Sequence, residues 1–266
     1  MLAFLFGNLV CLILILGLLF INQKLISNFN DKMSGNASLV IKRYNLAKFG
    51  VWLHEMSHAL AGKIFGLNVK KVKVHLDQKV LSNGSFEYTF GSTEFTNLQD
   101  YKSKRKHDLS YFFVGLAPLI ALYLVFGIGF SLITLDINSF WNFTFKPTFG
   151  VNEILAIIKN CLCFPLSIIQ DLKYNSLWRI FIGIFFMLSC TLALELSNND
   201  INLFLKKGWN VLKTHHKILL VITFVALMLA GHLRSTLLSL TLSMTIFLIC
   251  LNLVAYVINL ANKKCY

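Results

Sequence analysis

The sequence predicts an α-helical polytopic membrane protein with about six transmembrane helices and a small β-hairpin segment. Three observations predict it. Hydrophobic residues make up 56% of the 266, mean hydropathy is +0.66, and several apolar runs approach or exceed the ~20 residues needed to cross a bilayer. Charged residues are only 14% of the chain and cluster between those runs. One polar segment, 68–107, alternates with the two-residue period of a strand.

Residues 2–21 are nearly pure aliphatic and aromatic, lack a basic leader, and are too long for a signal-peptide core. They are expected to remain as a transmembrane helix. The stretch 22–48 is polar and carries five basic residues. A helix is predicted over 44–67, and its apolar part holds Gly50, Gly62 and Gly66. These let neighbouring helices come close, and Gly66 suits a helix C-terminus.

Val69, Val72, Val74 and Leu76 are then spaced like a strand, and Phe86-Glu87-Tyr88-Thr89-Phe90 alternates strictly. Ser82-Asn83-Gly84-Ser85 supplies Asn-Gly turn chemistry between them. An open sheet edge cannot face lipid, so this hairpin belongs at the interface or in a protein-lined cavity. Such an edge beside a metal site could bind an extended substrate by strand addition, with a plain surface hairpin as the competing reading.

Lys102, Lys104, Arg105 and Lys106 precede the apolar run 109–135, which is expected to span and contains Gly115-Leu-Ala-Pro118. A proline in mid-span removes an N–H, frees backbone groups and kinks the helix. Residues 139–149 are rich in aromatics, including Trp141, as at a membrane–water boundary. The run 151–172 is broken by Lys159, Asn160 and Pro165 and reads as re-entrant or interfacial. Residues 177–196 are expected to span, 200–213 to form a basic amphipathic helix, and 219–233 and 237–260 to complete the membrane part.

The net charge of +13 in so apolar a chain points to topology-setting loops and anionic lipid head groups, with no nucleic-acid module. Placing the basic segments 68–107 and 206–217 and the tail in the cytoplasm leaves the basic residues of 22–48 on the wrong side. The six cysteines form no C-x-x-C pair and mostly sit in apolar segments, so buried thiols are expected.

The chemistry lies in His54-Glu55-Met56-Ser57-His58, an H-E-x-x-H pentapeptide inside an apolar helical stretch. On a helix the two imidazoles project from one face, spaced to chelate a single Zn²⁺. Glu55 lies beside them, placed to take a proton from an activated water. The competing reading makes these polar residues on the lumen side of a bundle helix. It must account for a glutamate between two imidazoles at membrane depth, where charge is costly and usually functional.

A catalytic zinc takes three protein ligands and keeps one position open. Asp200, in Leu196-Ser-Asn-Asn-Asp200-Ile, is the first candidate for the third ligand, with helix capping as its competing role. Glu195, Asp171, Glu153 and Asp136 compete without a supporting pattern. His107, His215, His216 and His232 are spare imidazoles.

The H-E-x-x-H helix, the β-containing segment after it, the Gly115–Pro118 stretch and an aspartate just after a later apolar run together resemble the site-2 protease class of membrane-embedded zinc metalloproteases. The resemblance covers about 44–205. It implies His54, His58 and Asp200 as zinc ligands and Glu55 as the base, in an intramembrane or membrane-proximal endopeptidase acting on membrane-anchored protein or peptide substrates. Better-known members carry Asn-Pro and Asp-Gly around the late aspartate. This chain has Ser197-Asn-Asn-Asp200-Ile, similar to an S-x-x-D variant of divergent branches, and no PDZ-like insertion.

The expected organisation is one membrane-embedded domain over 1–266: an N-terminal helix at 1–21, a catalytic core at 44–205 and a C-terminal helical pair at 217–260. A multi-pass protein of a bacterial cytoplasmic membrane is expected, the bacterial source resting on Lys-, Asn-, Ile- and Phe-rich usage. Two other readings use the same residues: a proton- or metal-coupled transporter or export accessory protein, and an inactive scaffold of the same fold.

Overall fold

The structure, a computed structural model of the full chain, describes residues 2–34, 37–80, 86–96, 104–134, 155, 159, 177–194, 200, 209–210, 212–229 and 232–263. Among these residues it has six helices and one antiparallel two-stranded sheet. The helices are α1 (Leu2–Ser34), α2 (Ala37–Ile64), α3 (Lys104–Thr134), α4 (Leu177–Leu192), α5 (Thr214–Leu229) and α6 (His232–Lys263). The strands β1 (Asn68–Val80) and β2 (Phe86–Thr96) lie between α2 and α3.

The six crossings expected from the sequence are not supported. Among the described residues three helices are long and apolar enough to cross a membrane, over Val10–Met33, Ser110–Ile133 and Leu237–Val257. The physical reasons are length and charge. Helices α4 and α5 each have 16 residues, about 24 Å at 1.5 Å per residue, short of a hydrocarbon core of ~30 Å. Helix α2 has the length, but it carries Lys42, Arg43, Lys48, Glu55 and Lys63 and is not one of the three. The three apolar helices make a membrane protein a sound reading. Side chains such as Phe20 (63% exposed) and Val257 (62%) then face acyl chains instead of forming an apolar patch in water.

The first two helices also extend into the stretch read as polar. Residues 22–34 hold no glycine or proline, and α1 runs through them to Ser34, immediately before Gly35. Helix α2 begins at Ala37, earlier than the expected Tyr44. The turn at 82–85, the aromatic stretch 139–149 and all of 151–172 except Leu155 and Lys159 lie outside the described residues.

The chain divides into two compact units. One comprises Met1–Gly35, Val125–Met187 and Ile218–Tyr266. Within it α1 packs along α6 through Cys11, Ile15 and Leu238 and through a seam of buried polar groups. Asn22 donates to the Thr241 carbonyl at 3.2 Å and accepts from the Thr245 hydroxyl at 2.7 Å. Asn252 donates to the Leu25 carbonyl at 3.0 Å and accepts from Lys32 at 3.3 Å. In apolar surroundings such bonds hold helices together because the polar groups have few alternatives. Where α3 meets α4, Gly129 and Gly183 are in backbone contact: a Cβ on Gly129 would stand 2.8 Å from the Gly183 carbonyl oxygen.

The other unit comprises Asn36–Leu124 and Leu188–Lys217 and contains H-E-x-x-H. Its helix α2 ends in a Schellman motif. The Leu67 N–H reaches the Gly62 carbonyl at 2.7 Å, the Gly66 N–H reaches that of Lys63 at 3.2 Å, and Gly66 takes the left-handed φ of 84°. The cap turns the chain, and β1 and β2 both pack against α2. Leu67 closes a small core with Ala61 and Val114, and Phe95 and Ala117 pack on it.

Two close approaches fit α2 into place. A Cβ on Gly62 would lie 2.4 Å from the Phe95 ring, and one on Gly50 would lie 2.1 Å from the Ser189 carbonyl oxygen. The expected hairpin is present and longer than its alternation: β1 and β2 pair in register from Asn68↔Thr96 to Val80↔Phe86, with irregularities at Val69/Lys71 and Val74/Asp77. Gly91, opposite Val74, sits inside β2, beyond the point where the alternating run ended.

Candidate metal centre

Helix α2 carries His54, Glu55 and His58, all buried. The four-residue spacing brings the two imidazoles together, ring centroids 4.9 Å apart and edge to face. Asp200, also buried, completes a group whose ligand atoms all lie within 4.8 Å of one another. The His58 Nε2 is 2.9 Å from Asp200 Oδ1, and the His54 Nε2 is 3.4 Å from Asp200 Oδ2. Ligand atoms around a tetrahedral zinc stand about 3.3 Å apart at the usual bond lengths, so the two histidine–aspartate separations lie near what the ion needs.

The hydrogen bonding of His58 gives an independent test of fit. Its Nδ1 lies 2.8 Å from the Val114 carbonyl oxygen, which can only accept, so Nδ1 carries a proton. In a neutral imidazole Nε2 is then a lone pair, and it faces a carboxylate oxygen 2.9 Å away. Two acceptors at that distance repel unless positive charge lies between them. Either a second proton on the ring or a metal ion satisfies the contact, and a histidine that donates its other nitrogen to a backbone carbonyl is the usual form of a metal-bound one.

Asp200 lies outside the three apolar spans. Burial alone would raise its carboxyl, but hydrogen bonds and charge from His54 and His58 outweigh that and hold it below the usual carboxylate range. It is therefore an anion, the form in which it could hold a divalent cation. The group could hold a metal ion; its donor types, two imidazole nitrogens and one carboxylate, are those of a three-ligand zinc site.

Glu55 is held from the sheet. The Thr93 hydroxyl on β2 lies 2.7 Å from Glu55 Oε2 and 3.0 Å from the Glu55 backbone oxygen. Gly91, two residues earlier on the same strand, leaves room for it: a Cβ there would stand 2.8 Å from Glu55 Cγ and 2.9 Å from Oε1. Ser57 does not join the group; its hydroxyl turns back to the His54 carbonyl at 2.6 Å.

The structure thus brings His54, His58 and Asp200 together and places Glu55 beside them in the chain. The competing acids Glu195, Asp171, Glu153 and Asp136 lie outside the described residues. His215 and His216 lie against each other with rings tilted by 50° and centroids 4.1 Å apart, and are not in the metal-competent group found among the described residues. Thr93, Gly91 and Val114 were not legible as site residues: none belongs to a motif, and each acts through a contact remote in sequence. Comparison with family models, with curated proteins and with solved structures returns no match for this chain.

Proposed function

We propose that this chain is a zinc-dependent endopeptidase of multi-pass membrane character, resembling the site-2 protease class, that hydrolyses peptide bonds of membrane-associated proteins within or beside the bilayer. The observation that carries this reading is the convergence of His54, His58 and Asp200 with a glutamate next to the first histidine. Three further features support it: three apolar helices long enough to span, a hairpin packed on the motif helix, and a side-chain tether on Glu55.

His54, His58 and Asp200 would hold the ion through Nε2, Nε2 and a carboxylate oxygen. Zinc so held supplies a Lewis acid that polarises a peptide carbonyl and makes water nucleophilic near pH ~7. Glu55 takes the proton from the attacking water and returns it to the leaving amine. Thr93 keeps the Glu55 carboxylate from swinging away between those two transfers. The sheet has two strands among the described residues, and an extended substrate segment adds beside one of them by backbone hydrogen bonds.

The test is Glu55→Gln in the purified full chain, assayed for zinc and for cleavage of membrane-anchored test substrates. The reading expects zinc retained and cleavage abolished. Cleavage unchanged, or zinc lost with this single change, overturns the role given to Glu55. Proton-coupled transport that persists without metal would replace the protease reading with a transporter.

A further inference from the structure

We infer that Pro118 is a positioning residue for the metal centre: lacking an N–H, it leaves the Val114 carbonyl to the His58 ring, which fixes His58 with Nε2 turned toward Asp200. The effect on metal binding rests on the metal reading above; the effect on the ring does not.

In an α-helix the carbonyl of residue 114 is the natural partner of the N–H of residue 118. Pro118 lies inside α3 and has no N–H to offer. A carbonyl at this depth needs a partner, since an unmet buried backbone group is costly. Val114 is 1% exposed, and its oxygen is met at 2.8 Å by His58 Nδ1 from α2. The proline therefore does more than bend a helix. It converts one intrahelical acceptor into an interhelical one, four residues along, opposite the second histidine of the motif.

The consequence for the site is orientational. With Nδ1–H committed to Val114, the ring cannot turn over, and Nε2 is the atom left 2.9 Å from Asp200 Oδ1. Restoring an N–H at 118 offers the Val114 carbonyl its ordinary helical partner and puts the two donors in competition. Helix α3 then gains a bond and His58 loses its anchor. Val114 packs with Ala61 and Leu67, so the carbonyl itself is held in place by the small core beside α2.

The experiment compares the full chain, Pro118→Ala, and an ester-backbone counterpart of Pro118→Ala in which oxygen replaces the N–H at 118. Zinc affinity is read by competition with a chromogenic chelator, and solvent exchange of the His58 Nδ1 proton by NMR of the metal-free protein. Pro118→Ala is expected to weaken zinc binding about tenfold to a hundredfold, the range for losing a partner that orients a ligand, and to speed exchange of the Nδ1 proton. The ester counterpart, again without a donor, is expected to return both toward the unsubstituted chain. Zinc affinity and exchange unchanged in Pro118→Ala overturn the inference, and so does an ester counterpart as impaired as Pro118→Ala, which would assign the effect to the kink. If the unsubstituted chain binds no zinc, the metal reading fails alone. The exchange arm then decides the inference, for it if exchange is faster in Pro118→Ala and slow again in the ester, against it otherwise.

Discussion

The hydroxyl of Thr93 is shared between two oxygens of Glu55, the carboxylate Oε2 at 2.7 Å and the backbone carbonyl at 3.0 Å. One side chain on β2 thus fixes both the position and the orientation of the group proposed to move the proton. Replacing Thr93 by Val keeps the shape and removes the bond. A hydrogen bond to a charged group contributes about 1.5–3 kcal/mol, so Thr93→Val is expected to slow cleavage of a membrane-anchored test peptide by roughly tenfold or more. Zinc content should stay at the unsubstituted level. Equal turnover in Thr93→Val would remove the hydroxyl from the mechanism.

Gly91 makes the same point sterically. Its missing Cβ would meet Glu55 Cγ at 2.8 Å, Oε1 at 2.9 Å and Val51 Cγ1 at 3.0 Å. Most of that crowding falls on one glutamate side chain. Gly91→Ala is therefore expected to displace Glu55 and abolish most cleavage, at a stability cost of about 1–3 kcal/mol for overpacking. Gly17→Ala, with nothing within 4 Å of the added carbon, is the control and should leave thermal unfolding unchanged or slightly raised.

Gly50→Ala should behave differently from Gly91→Ala. The added carbon would stand 2.1 Å from the Ser189 backbone oxygen and 2.7 Å from its carbonyl carbon, and backbone cannot rotate aside. The expected result is a loss of about 3 kcal/mol or more of stability, above the usual overpacking range. Thermal unfolding in detergent measures it, with activity and zinc falling together because α2 itself shifts.

The seam between α1 and α6 predicts a stability effect separable from chemistry. Asn22→Leu removes the bonds to the Thr241 carbonyl and the Thr245 hydroxyl. Interhelical bonds of this kind contribute about 0.6–2 kcal/mol in membrane proteins. The expected outcome is a loss in that range on denaturation in mixed micelles, with bound zinc unaltered.

What the sequence made legible follows the range of each interaction. His54 and His58 are four residues apart on one helix, so local geometry alone pairs them. The hairpin was legible because β-branched and aromatic residues alternate beside an Asn-Gly pair. Asp200 is 142 positions from His58 by residue number; its place just after an apolar run made it the first candidate over Glu195 and Asp171, with helix capping as a rival role, and the family resemblance strengthened that choice. Pro118 was legible as a broken hydrogen bond, but the Val114 carbonyl it leaves over was not legible as the acceptor for His58, since that pairing depends on how α2 and α3 meet. The number of spans was overread for a related reason. Apolar composition identifies a helix that avoids water, but charges on α2 and the 16-residue length of α4 and α5 decide whether it crosses.

The most direct test of the central claim is the metal content of the detergent-purified chain beside His58→Ala, by elemental analysis after dialysis against a weak chelator. The account predicts about one zinc per chain for the unsubstituted protein, three ligands forming one site, and a near-complete loss in His58→Ala. A metal-free unsubstituted chain, or His58→Ala retaining the same zinc, would contradict it.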